Sequence, residues 1–145
     1  MGAVLRVGES NGREQIMHAI RKEELPFVGS SYQFVGAEQA DVGVSVYLVE
    51  AKPGRGAPLH RHPYDEVLMT LEGRGRVVVG DEVRQTSAGE IVVVKAGTPH
   101  GFINIGEGVL KQVDIHVSPR FEQENLEPTE VSRWAGLPVP AEFRN

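Results

Sequence analysis

Three of the chain's five histidines lie, with Glu66, within residues 54–73 and 89–104. Side chains alternate faces along an extended strand, so positions separated by an even number share a face. His60, His62 and Glu66 differ by even numbers and point one way if the segment stays extended. His100, Phe102 and Asn104 form a second same-face set. Two such strands, side by side or facing each other inside a small barrel, bring three imidazoles and one carboxylate to a single point. That nitrogen and oxygen set suits a divalent transition ion and leaves room for water or substrate. Asp65 adjoins Glu66, but neighbours on a strand face oppositely, so only Glu66 joins the site.

The elements that must position these groups read as strands. Val42–Val49 is β-branched and alternating. Val67–Leu71 and Arg76–Val79 flank Gly73 and Gly75, Gly80 turns into Val83–Thr86, and Phe102–Ile105 meets a glycine-rich turn before Val109–Val117. Ile91–Val94 is continuously apolar, which predicts burial on both faces. Short strands with glycine-rich turns at regular spacing indicate a sandwich or barrel. Before them, Ser10-Asn11-Gly12 is a turn signal, Glu14–Leu25 has helical composition ended by Pro26, and Gln33–Val35 reads as an edge strand. After Pro119, Phe121–Leu126 reads as a short helix ended by Pro128. Trp134 and Phe143 predict that the tail packs back on the barrel or on a partner.

The two stretches together resemble the paired motifs of the cupin superfamily. Gly54, His60, His62, Glu66 and Gly73 occupy every fixed position of the first motif. Gly89, Gly97, His100 and Asn104 match the second, with Lys95 at its proline position. The resemblance implies an all-β, cupin-type double-stranded β-helix, a jelly-roll barrel with short helical or irregular N- and C-terminal segments. It implies that His60, His62, Glu66 and His100 bind one divalent ion of iron, manganese, nickel, copper or zinc. Since that proline shapes a turn, Lys95 bears on local geometry and leaves the ligand set intact. A single motif pair predicts one barrel, at residues 42–118, preceded by an extension at 1–41 and followed by a tail at 119–145. Cupins also pair, which implies a homodimer, with Gln33–Val35 and the Trp134 region as the candidate surfaces.

Around the ion, Leu68 shares the parity of Glu66, and Phe102 that of His100, so both line a substrate pocket. Gln112, Asp114 and His116 alternate with Val113, Ile115 and Val117, making one strand face polar. That face either meets solvent or lines the cavity, where Gln112 and Asp114 would touch substrate and His116 would join Glu66 as a catalytic acid or base. Arg61 and Tyr64 are expected to face away from the ion or sit in the bend, with structural roles, and His18 at the surface. The superfamily resemblance implies a metalloenzyme such as a dioxygenase acting on a small enol, phenol or dicarbonyl. The alternatives are an isomerase or decarboxylase, or a small-molecule binder without catalysis. An inward-facing Asp114 or His116 separates these.

Composition bounds the rest. A chain of 145 residues suits one domain. With no cysteine it has neither disulfides nor thiolate ligands. Its net charge of −5 and lack of a basic run exclude nucleic acid as the expected partner. It has no secretory apolar core, no myristoylation pattern (Arg6 stands where Ser or Thr is needed) and no apolar run of membrane-spanning length. A cytoplasmic location, a small-molecule substrate or ligand, and no membrane partner are expected.

Overall fold

Alternating β-branched residues build two facing antiparallel sheets in the computed structural model, which describes residues 16–144. In chain order the strands are β1 (Phe27–Val28), β2 (Ser31–Phe34), β3 (Ser45–Ala51), β4 (Gly56–Arg61), β5 (Glu66–Glu72) and β6 (Arg74–Val79). They continue with β7 (Glu82–Ser87), β8 (Ile91–Val94), β9 (His100–Asn104), β10 (Leu110–His116) and β11 (Glu124–Asn125). One sheet has six strands in the order β1-β2-β3-β10-β5-β8, the other five in the order β11-β4-β9-β6-β7. Apart from the β6–β7 hairpin, the chain passes from one sheet to the other at every connection from β3 to β10. That is the jelly-roll winding. The core between the sheets is Val49, Ala51, Leu68, Val77, Val94, Phe102 and Leu110, all buried.

Two motif residues shape turns. Gly73 has φ +88°, and a β-carbon there would meet the Val109 carbonyl oxygen at 2.7 Å, so only glycine fits the β5–β6 turn. Asn104 is buried, and its side chain is committed to the backbone. Its amide nitrogen donates to the carbonyls of Ala51 and Gly108, each at 2.8 Å, and its oxygen accepts from Gly106 N–H. It therefore fastens the β9–β10 turn to β3.

Several expectations change. The Ser10-Asn11-Gly12 turn lies outside the described residues. Of the expected helix at Glu14–Leu25, residues 14 and 15 lie outside the described residues, and among 16–25 only Lys22–Glu24 forms a 3-10 turn. Ile16 there is 93% exposed, so no buried stripe rewards a helix. The strand expected at Gln33–Val35 is Ser31–Phe34, and it is internal, because β1 pairs with its outer side. Ile91–Val94 is not buried on both faces: it is the sheet's last strand, and Ile91 and Val93 point outward, 57% and 58% exposed. Phe121–Leu126 forms no helix. Within it, β11 pairs with β4 and satisfies that strand's open backbone groups.

The tail helix, Glu130–Ala135, is opened by reciprocal hydrogen bonds between Thr129 and Ser132 and closed at Gly136, φ +82°. The tail does pack back, but through Ala135 and Leu137, which join Leu59 and Val78 on the outer side of the five-stranded sheet. Trp134 itself is largely exposed, beneath the Arg76 guanidinium, 5.9 Å from the ring centre. Among the described residues, no helix is long and apolar enough to cross a membrane.

Candidate metal centre

Each sheet supplies one directly opposed pair. His60 of β4 faces His100 of β9 across the five-stranded sheet, and Glu66 of β5 faces His116 of β10 across the six-stranded sheet. His62 stands between them, because the chain does not stay extended. Strand β4 ends at Arg61, and His62-Pro63-Tyr64-Asp65 carries the backbone from one sheet to the other. Proline, with fixed φ and no N–H, suits that crossing. Same-face spacing within one strand therefore does not explain the convergence: Glu66 arrives from the opposite sheet.

The crossing is latched to the second motif. Gly97 N–H donates to the His62 carbonyl at 2.8 Å, and the Asp65 carboxylate accepts from Ala96 N–H at 2.8 Å and Lys95 Nζ at 3.1 Å. Lys95 thus occupies the motif's proline position without losing the turn. Its carbonyl accepts from Thr98 N–H, and Gly97 takes φ +81°. Asp65 faces away from the ligands, as the parity argument requires.

His60, His62, Glu66 and His100 are all buried, and one ligand atom from each lies within 4.8 Å of the others. The outer ring nitrogens are committed: Nδ1 of His60 donates to the Pro58 carbonyl at 2.6 Å, that of His62 to Glu122 at 2.7 Å, and that of His100 to Thr98 at 2.9 Å. Carbonyl oxygens only accept, so each Nδ1 carries a proton and each ring turns its Nε2 inward. Burial, reinforced by the neighbouring His100, pushes His60 down to about 3, which keeps it neutral. The inward nitrogens then face a carboxylate: Glu66 Oε1 is 2.8 Å from His100 Nε2 and 3.2 Å from His62 Nε2, which is buried without an aligned hydrogen bond. Burial alone would raise the Glu66 carboxyl, but His100 and His62, with His116 nearby, outweigh it and hold it well below the usual carboxylate range. Three inward ring nitrogens and one carboxylate gathered at a single buried point make a nitrogen and oxygen donor set, so the four residues fit a divalent ion of the transition series.

The second Glu66 oxygen looks elsewhere. Oε2 lies 3.3 Å from His116 Nε2, and His116 Nδ1 is 2.8 Å from the Tyr64 hydroxyl. Tyr64 also stacks on His62, ring centres 4.8 Å apart and planes 9° from parallel. The expectation that Tyr64 stands apart from the site is thus corrected. It shares even parity with His62 and Glu66, and that signal could have found it. Arg61 does face away, paired with Glu124 at 2.8 Å, and His18 is exposed. Burial lowers His116 to about 4, against the pull of Glu66.

The polar face of β10 points inward: Gln112, Asp114 and His116 are all buried. Asp114 and His116 line a cavity of about 340 Å³ beside the metal cluster, with Leu68 and Phe102 as apolar walls. Gln112 does not line it and instead holds Asp114 from beneath, Nε2 to Oδ1 at 2.8 Å. Burial first, and then the Glu66 charge, raises the Asp114 carboxyl well above its ordinary range. Tyr47 and Phe121 also reach the cavity. Neither belongs to a motif, and no spacing in the sequence marks them. Among the described residues, no lysine or arginine lines this cavity.

A profile of the Cupin domain matches residues 47–116. An uncharacterized protein of Streptomyces coelicolor is 32% identical over 96 residues, spanning 63% of this chain and 88% of that one. A variant of Bacillus subtilis oxalate decarboxylase superposes with a TM-score of 0.70 at 20% identity, over 81% of this chain and 35% of that one. An oxalate oxidase in complex with glycolate superposes with a TM-score of 0.64 at 21% identity, over 79% of this chain and 66% of that one. The chain spans about a third of the decarboxylase, and at such identities the likeness shows the fold alone.

Proposed function

This chain belongs to the cupin superfamily, and from that premise we propose that it is a metal-dependent enzyme, a dioxygenase acting on a small uncharged organic molecule that chelates through oxygen. The observation that carries this reading is His116. It is buried and outside the ligand set, yet it reaches the Glu66 oxygen that faces away from the other ligands. A passive binding barrel has no need of such a group. A bound divalent ion supplies Lewis-acid and one-electron chemistry.

The chain's own residues do the rest. His60, His62, His100 and Glu66 would hold the ion. Tyr64 O–H donates to His116 Nδ1 and thereby sets the tautomer that offers Nε2–H to Glu66 Oε2. Glu66 and His116 together can store the proton a hydroxyl substrate gives up on chelation. Leu68 and Phe102 pack the substrate and exclude water, and Asp114 contacts it at the cavity wall. With no lysine or arginine on that wall among the described residues, and a second carboxyl present, a dianion such as oxalate would meet no side-chain counter-charge beside the ion. This favours an enol, phenol or dicarbonyl.

The same His116–Tyr64 pair favours one second reading, a decarboxylase or isomerase in which His116 delivers a proton. Elemental analysis followed by turnover assays against enols, catechols and β-diketones, in air and under nitrogen, separates the two. Oxygen consumption with product formed only in air supports the dioxygenase. Product formed equally under nitrogen selects the second reading. Binding without turnover of any substrate rejects both. In the active case Glu66→Gln lowers the rate by about 10²-fold or more with metal retained, and an unchanged rate removes Glu66 from the chemistry.

A further inference from the structure

The inner face of the six-stranded sheet is laid in cross-strand rows. Ser45, His116 and Glu66 oppose one another in the row that carries a metal ligand, and Tyr47, Asp114 and Leu68 form the next row along. Tyr47 and Asp114 both line the cavity, yet they do not satisfy each other. Asp114 accepts from Gln112 instead. The Tyr47 hydroxyl is buried and has no hydrogen-bond partner, although its ring is held firmly, its centre 4.4 Å from that of His116 and 5.5 Å from that of Phe121. Among the described residues one other buried side-chain polar atom shares this condition, His62 Nε2, and it belongs to the metal cluster. A buried polar atom left unpaired is costly. An ion supplies the partner at His62, but not at Tyr47: burial pushes the phenol up, so it keeps its proton and is a donor. Strand β10 separates β3 from β5, so at ~4.8 Å per strand the Tyr47 backbone stands about 10 Å from that of Glu66.

We propose that Tyr47 determines substrate specificity: its hydroxyl donates a hydrogen bond to an acceptor oxygen of the substrate, on the side of the molecule remote from the ion. On the metal-dependent reading above, which this contact presupposes, the substrate class narrows. The substrate carries two oxygens that chelate and a third, a carbonyl or ether oxygen, across its body from that pair. Leu68 and Phe102 offer apolar walls for the body. The third oxygen is uncharged, because Asp114 adjoins Tyr47 and, among the described residues, no lysine or arginine lines the cavity. A molecule that chelates equally well but lacks this oxygen leaves the hydroxyl buried and unpaired. A site built to hydrogen-bond its substrate rejects such an analogue for that reason.

Calorimetric binding to the metal-loaded full chain tests this, under nitrogen so that no oxygen-dependent turnover intrudes. Two probes share a catechol pair: one bears an acetyl group para to a hydroxyl, and the other has ethyl in its place. Tyr47→Phe should lose about tenfold in affinity for the acetyl probe and less than about twofold for the ethyl probe. Comparing each probe between the two proteins cancels the difference in their acidity. Metal content should be unchanged, and the thermal midpoint equal or higher, because the hydroxyl has no partner in the protein to lose. An equal change with both probes, no change with either, or no binding of either to the metal-loaded parent would overturn the proposal. So would a lower midpoint or a failure to fold, which would make the hydroxyl a structural group. A parent protein that takes up no ion fails the metal-dependent reading itself. Elemental analysis shows that before any probe is added, and the Tyr47 contact falls with it.

Discussion

Inside the barrel, the same strands run from one chemistry to another. At one end Leu110 of β10 and Ala51 of β3, directly opposed, close a dry apolar floor. At the other, His116 of β10, Glu66 of β5 and His100 of β9 press polar groups together at equal depth. Burial is the same, but its consequence is opposite. In the floor it stabilises by removing hydrocarbon from water. In the histidine end it depresses His60 and His116, raises Asp114, and gathers ring nitrogens around a carboxylate. The floor holds the barrel, and the barrel in turn holds the ligand end in an arrangement that suits a cation.

The comparison breaks if the two ends respond alike to mutation. The largest effect is expected in the floor. Leu110→Ala, at a fully buried side chain, should cost about 3 kcal/mol in urea denaturation, with the metal lost only through unfolding. Its counterpart is His62→Ala, which should weaken metal binding by more than about 100-fold while the metal-free barrel unfolds within roughly 1 kcal/mol of the parent. Stoichiometric metal in that variant, found by elemental analysis, would remove His62 from the centre.

Acid sharpens the contrast. His116 and His60 have folded values near 4 and 3, below their ordinary 6.5, so the unfolded chain binds more protons between these limits. Stability of the metal-free protein is full above pH 6.5 and falls as pH drops toward 4 and then 3, by on the order of 3–5 kcal/mol per histidine. Glu66, held low, adds loss in the same direction once pH falls below the carboxylate range. A metal-free protein whose denaturation midpoint is flat from pH 7 to about 4 would contradict the depressed values. Asp114 has the opposite sign, since a raised carboxyl stabilises only at low pH and loses that contribution as pH rises. Asp114→Asn keeps an acceptor for Gln112 and removes the buried charge. It should raise the thermal midpoint at pH 7 by a few degrees, roughly 1 kcal/mol, the smallest of these effects.

Much of this was legible in the chain, and the reason is local. Motif spacing identified the four candidate ligands, and parity placed Leu68 and Phe102 on the inner face because a strand's alternation belongs to its own backbone. Parity also sorted β10 into a polar and an apolar face, but could not say which was inside. Pairing decides that: Asp114 opposes Leu68 and Tyr47, whose neighbours build the core. The apolar run Ile91–Val94 looked doubly buried because sequence carries no mark of a sheet's last strand. Phe121–Leu126 looked helical because the open edge of β4 that captures Glu124 and Asn125 lies far away in the chain. Residue types and spacing thus determined the ligand inventory and the strand periodicity, which depend on near neighbours. The crossing at Pro63, the Glu66–His116–Tyr64 contacts and the placing of Tyr47 beside Asp114 were decided only by tertiary structure, because each depends on which distant strands hydrogen-bond and in what register.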